Sequence, residues 1–212
     1  MVRVLLFVAC FGAFPSIAQS LQGSSDAIGL YMLPRERNPL HRYEGTVSAS
    51  ATFTPGVMLN RNEHNFYLSG FAEYHINRSV SVRGETYFHM NGQSAQPFFH
   101  DGMRTYFGAY YHLNNKYSGN WDVRLGFQPG VSVMRKANYS GDEVLDPLHM
   151  VVSPSFSTSI GFDYYVWRYF HFFTNVAYVN STMRGLPNGS EKTDEILISA
   201  GLGFQIQTKG ER

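Results

Sequence analysis

Eight histidines (His41, His64, His75, His89, His100, His112, His149 and His171) are the side chains of this 212-residue chain best suited to holding a metal or moving a proton. None falls in a close ligand motif of the HExxH type, so each is expected to be a hydrogen-bonding or exposed side chain. His100 followed by Asp101 offers an acid–base pair, but in a stretch that reads as a solvated loop. No GxSxG elbow or phosphate-cradling glycine loop is present. No catalytic residue, metal or cofactor is therefore expected. A second set does different chemistry. Glu73, Arg83, Glu85, Asp122, Arg124 and Asp163, with His112 and His171, stand among serines and glycines at every second position. Unlike charges on such faces can pair with one another, as burial would require.

The elements that must position them are strands. In Glu195 to Gln207 the even positions read Ile196, Ile198, Ala200, Leu202, Phe204 and Ile206. The odd ones are small or polar, including Ser199, Gly201 and Gly203. At ~3.3 Å per residue this period of two holds for about 40 Å, far beyond the usual soluble strand of about five or six residues. Seven earlier segments alternate in the same way: Thr46 to Asn60, Asn65 to Asn77, Ser79 to Asn91, Met103 to Asn114, Trp121 to Arg135, Val151 to Val166 and Phe170 to Thr182. The links at Asn77 to Ser79, Asn115 to Asn120 and Trp167 to Tyr169 are short. Those at Gln93 to Gly102, Lys136 to Met150 and Arg184 to Asp194 are longer and polar, and Arg61 to His64 is short for that side. The expected fold is all-β: an eight-stranded antiparallel up-and-down transmembrane β-barrel with short periplasmic turns and longer outer loops. Trp121, Trp167 and Tyr169 fall at the tight-turn end, where an aromatic girdle meets headgroups.

Composition agrees. Aromatics reach 16% while mean hydropathy is only -0.23, too polar for helical spans but suited to strands that carry apolarity on alternate residues. A formal charge of +1 gives no reason to expect nucleic acid as a partner. The one long apolar run, Val4 to Phe14 after Arg3 and before Ser16-Ile17-Ala18, reads as a signal peptide over 1–18. Its loss removes Cys10, the sole cysteine. Residues 19–44 read as an irregular periplasmic lead-in, 45–208 as the barrel and 209–212 as a tail.

On this reading the apolar faces meet lipid and the charged faces share the lumen, whereas a soluble lipocalin-like carrier would turn them the other way. Hairpin geometry sets Glu73 opposite Arg83, Tyr110 opposite Arg124, His112 opposite Asp122 and Asp163 near His171. Ser199, Gly201 and Gly203 are expected to leave room for the larger charged groups of the second, third and fifth strands. Pro55, Pro129 and Pro154 each remove a ladder hydrogen bond inside a strand. Pro129 roughly opposite Pro154 would form either a frayed rim or a seam that admits a lipid tail.

The signal peptide, the eight alternating segments and the glycine-rich last strand resemble the small outer-membrane β-barrel proteins of Gram-negative bacteria, the group of the OmpA-type transmembrane domain and OmpX. Phe53-Thr54-Pro55-Gly56-Val57 with the two following segments looks particularly like the barrel domains common in Bacteroidetes. The resemblance covers about residues 45 to 208 as pattern. It departs at the end, where Phe204 is followed by Ile206 and a polar tail rather than closing the chain on an aromatic. No periplasmic domain follows, so no cell-wall anchoring role is expected. Asn77, Asn138, Asn180 and Asn188 open glycosylation sequons, which mean little in a bacterial setting. The resemblance implies outer-membrane lipid or lipopolysaccharide and the assembly machinery as partners, with an extracellular ligand or envelope protein as further candidates. The expected function is a non-enzymatic surface or structural role with a side-chain-filled lumen. The alternatives are a lipid-modifying enzyme with lateral access near Pro129 and Pro154, a narrow pore, and the soluble carrier.

Overall fold

The computed structural model describes residues 44–208 apart from 62, 91–97, 114–119, 137–138, 141–142, 145–149, 168 and 187–188. The signal-peptide reading of 1–18, the lead-in of 19–44 (Glu44 excepted) and the tail of 209–212 lie outside them. Eight long strands follow in order: β1 Thr46–Met58, β2 Glu63–His75, β3 Val80–His89, β4 Phe99–His112, β5 Trp121–Lys136, β6 Met150–Trp167, β7 Phe170–Leu186 and β8 Glu195–Gln207. Each pairs antiparallel with its neighbour in sequence, and β8 pairs with β1, which closes the barrel. On the outer side Gly189–Lys192 extends the end of β7, and Tyr139–Ser140 pairs with Glu143–Val144.

Local chemistry accounts for the tight turns. Between β2 and β3 the Asn77 side-chain oxygen accepts from the backbone N–H groups of Ser79 and Val80, at 2.8 and 2.9 Å, an Asx turn. The alternation then does the sorting. Phe53, Phe107, Phe127, Val152, Ile160, Phe172, Ile198 and Leu202 stand on the outer surface, Phe107 with 63% and Val152 with 67% of their area exposed. Trp121 stacks on Phe162, Trp167 on Phe170 and Tyr169 on Phe204 around the tight-turn rim. An apolar belt with an aromatic border, wrapped round buried charge, is the inverse of a water-soluble barrel.

All three prolines are housed without breaking the wall, because each falls where a ladder is already missing on one side. Pro55 pairs with Phe66 of β2. On its other side the β1–β8 register runs from Thr46↔Gln207 to Ala49↔Phe204 and resumes at Gly56↔Leu197. Across that interval the Ser50 and Thr52 hydroxyls donate to the carbonyls of Leu202 and Ala200, at 2.9 and 2.7 Å. Pro129 faces Phe156 of β6 in an unbroken register, while its gap lies towards β4 between Tyr106↔Gly130 and Ala109↔Phe127. Pro154 pairs with Val131, one residue before the β6–β7 ladder starts at Ser155↔Ser181. Pro129 and Pro154 are thus roughly opposite, as expected, offset by two residues across the β5–β6 pair. The two are not cross-strand partners, and β5 and β6 stay paired past both.

Candidate functional site in the barrel interior

The inward faces fill the lumen in two layers. The layer near the tight turns is charged. Glu73 lies opposite Arg83, with Arg83 Nη1 3.6 Å from Glu73 and Nη2 3.7 Å from Glu85. The Arg83 guanidinium caps the Phe71 ring at 3.4 Å, a cation–π contact. Arg124 binds Asp163, and His171 Nε2 stands 4.0 Å from the other Asp163 oxygen. His112 Nδ1 donates to Asp122 at 2.6 Å. Tyr110 O–H donates to Gln128, whose amide in turn donates to the Arg83 carbonyl, and Ser159 donates to the Tyr110 oxygen. These groups are almost wholly removed from solvent.

The β4–β5 register differs from the expected one by two residues. Tyr110 faces Gly126 and His112 faces Arg124. A shift of two keeps every side chain on its own face, so His112 still reaches Asp122, diagonally instead of directly. Asp163 pairs with Phe173, with His171 opposite Tyr165. The glycines are also used differently. A Cβ on Gly203 would lie 2.3 Å from the His171 ring, and one on Gly161 2.7 Å from Arg124 Nε. Room in the last strand therefore serves β7, and it is Gly161 on β6 that admits the Arg124 head group.

Sequence reasoning missed the outer layer. Met58, Tyr67, Tyr87, Phe99, Tyr106, Met134, Met183 and Leu197 form one buried cluster there. Set into it is an ion pair of Arg104 and Glu195 at 2.6 Å, both fully buried. Glu195 also accepts from Tyr67 O–H at 2.7 Å and Asn65 Nδ2 at 3.0 Å. Both charges carry inward parity in their strands, which was the available signal. Their contact is 91 residues apart in sequence and lies across the lumen rather than along a hairpin.

Over this layer lies a rim of charges. Glu191 accepts hydrogen bonds from Arg61 and, at 3.0 Å, from Lys136, while both cations cover the Phe98 ring at 4.4 and 4.9 Å. The Phe98 N–H donates to Glu63. Partial burial works to raise the Glu191 carboxyl, but the bonds from Arg61 and Lys136 outweigh it and hold it below the usual carboxylate range. A depressed folded value means this contribution is fully present above the unfolded carboxylate pKa of about 4.3 and fades as pH falls through the folded one. Acidification below about pH 4 is therefore expected to lower the hydrogen-exchange protection of Gly189–Lys192, relative to the intrinsic rate at that pH, before that of the barrel strands. Glu191→Gln should show the lower protection already at pH 7.

A closed eight-stranded antiparallel sheet that points its apolar side chains outward and fills its lumen with charge and tyrosine is the architecture of a small outer-membrane β-barrel. The fold of this chain belongs to that class. Among solved structures it is similar to the outer membrane protein OprG from Pseudomonas aeruginosa, at 11% identity over 80% of this chain and 99% of that one, with a TM-score of 0.56. The N-terminal β-barrel domain of OprF from Pseudomonas aeruginosa also matches (13% identity, 78% and 100% of the two chains, TM-score 0.46). So does Ail, the attachment invasion locus protein of Yersinia pestis (14%, 77% and 99%, 0.42). The correspondence of fold rests on OprG. No family model and no curated protein matches the sequence.

Proposed function

We propose that the protein is a plugged, non-enzymatic barrel of the Gram-negative outer membrane that anchors and presents its outer hairpins, for adhesion or as a partner subunit. The observation that carries this reading is the lumen itself. Arg83, Arg104 and Arg124 are buried across it, each against a carboxylate, and the tyrosine and methionine cluster fills the outer layer. An eight-stranded wall encloses just enough space for such side chains. Moving ions through it would require separating several buried charge pairs at once, at several kcal/mol each. The signal-peptide pattern of 1–18 supports export, and the outer belt supports lipid and lipopolysaccharide as its surroundings. The unbroken β5–β6 ladder supports this reading over one with lateral lipid access near Pro129 and Pro154.

In planar bilayers the purified barrel is expected to give no stable current steps. Regular, ion-selective steps would overturn the plugged reading. Lipid A from cells that express it should keep its mass spectrum, and a new mass there would make the barrel an enzyme.

A further inference from the structure

Apart from the arginine–carboxylate contacts, the described residues of the lumen gather one set of three ligand-type side chains from separate strands. Glu73 and His75 of β2 and His112 of β4 are 4, 2 and 1% exposed, and one donor atom of each lies within 4.8 Å of the others. We propose that these three residues bind a divalent transition cation of the zinc type at the tight-turn end of the lumen, with Asp122 orienting His112 from behind.

The pattern of contacts is that of a ligand set. His112 Nε2 and Glu73 Oε1 are already 3.3 Å apart. That matches the edge of a tetrahedron built on bonds of about 2.0–2.2 Å, roughly 3.3–3.6 Å. Asp122 accepts from His112 Nδ1, which leaves Nε2 as the ring's ligand atom and turns it towards Glu73. A carboxylate behind the imidazole is the usual outer partner of a metal-binding histidine. His75 completes the set from the same inward face of β2 as Glu73, its ring centroid 5.0 Å from that of His112. Two imidazole nitrogens with one carboxylate select zinc or a similar ion over magnesium or calcium, which take oxygen shells.

The charge balance points the same way. In this layer the described residues Glu73, Glu85, Asp122 and Asp163 bring four buried carboxylates, and Arg83 and Arg124 bring two guanidiniums. With the buried imidazoles of His75, His112 and His171 neutral, the layer is two positive charges short, and buried charge left without compensation costs several kcal/mol per ion. One divalent cation between Glu73, His75 and His112 supplies both. Ser81 marks the place. With the His112 proton held on Nδ1 by Asp122, the Ser81 hydroxyl has a single hydrogen to share between Glu73 Oε1 and His112 Nε2, the latter 2.8 Å away. A cation in that gap takes lone pairs from both groups at once.

The test uses the full chain, folded into detergent micelles with excess Co(II) present so that the buried site is filled during folding, then desalted. The expected result is one cobalt per chain with the visible absorption of four-coordinate Co(II). His75→Ala and His112→Ala should each lose the ion. Asp122→Asn should bind it 10–100-fold more weakly, while His100→Gln, on the exposed β4 start, should bind as wild type. Folding of every variant is checked by heat-modifiable gel mobility. Folded wild-type protein that carries no cobalt overturns the proposal, and so does cobalt retained in folded His75→Ala and His112→Ala. The wild-type stoichiometry and spectrum decide the matter on their own should a variant fail to fold.

Discussion

Arg104→Met is expected to lower the stability of the folded barrel by about 3–5 kcal/mol, because it leaves a buried carboxylate without its counter-charge. Glu195 sits fully buried in the outer layer and takes three donors: Arg104 at 2.6 Å, Tyr67 at 2.7 Å and Asn65 at 3.0 Å. With the guanidinium gone, two neutral donors remain for a full negative charge in a setting of tyrosine, methionine and leucine. Methionine is the informative replacement, since its flexible stem refills most of the volume and the loss then reports charge rather than a cavity. The companion Arg104→Met/Glu195→Gln removes both charges and should recover much of the stability, a coupling well above the error of a double-mutant cycle. Urea unfolding in liposomes, followed by the fluorescence of Trp121 and Trp167, measures both. A single-variant loss under about 1 kcal/mol with no coupling would mean that the pair is surrounded by water, in the range of a surface ion pair, and that the outer layer is open.

The wall of Gly56 gives a second view of the same carboxylate. A Cβ there would fall 2.3 Å from Glu195 Oε1 and 2.6 Å from Leu197 Cδ2. The glycine in Pro55-Gly56 thus makes room for a charged group on the neighbouring strand. In the sequence it reads as part of a proline-glycine interruption of the first strand. Only the closure of β8 against β1, at Gly56↔Leu197, shows what the gap admits.

What could be read in advance follows from how locally each contact is determined. The β8 bounds coincide with the alternating stretch from Glu195 to Gln207, since a long period of two on both faces has no competing helical reading. Glu73 opposite Arg83 was accessible because a turn as short as Asn77 to Ser79 permits few registers. The longer link between β4 and β5 left room for a slip of two, which preserved faces but changed partners. Contacts across the lumen had no such guide. Arg104 with Glu195, and Glu73 and His75 with His112, join strands that are not sequence neighbours, and their distances depend on how side chains fill the barrel. Nor does parity tell a charged layer from an aromatic one. Tyr67, Tyr87 and Tyr106 alternate with outward residues just as the charged groups do, and only their height along the axis puts them together.

Height along the axis also decides the other large effect. Leu202 lies on the outer face near the middle of β8, half exposed, paired with Phe172 of β7 on one side and accepting at its carbonyl from the Ser50 hydroxyl of β1 on the other. Leu202→Arg is expected to cost about 2–4 kcal/mol in a bilayer, the loss for a cation held at the midplane, whereas Ile206→Arg, at the tight-turn end of the same strand and the same face, should cost at most about 1 kcal/mol. Both replace an exposed aliphatic side chain with a longer one that keeps a greasy stem, so packing changes little between them and depth is the remaining variable. In a water-soluble barrel neither position would penalise a charge, and both variants would unfold like wild type or later. The comparison therefore reads the orientation of the wall directly: unfolding free energies in liposomes that fall steeply for Leu202→Arg and slightly for Ile206→Arg fix the belt at mid-strand, while wild-type values for both would place β8 in water along its whole length.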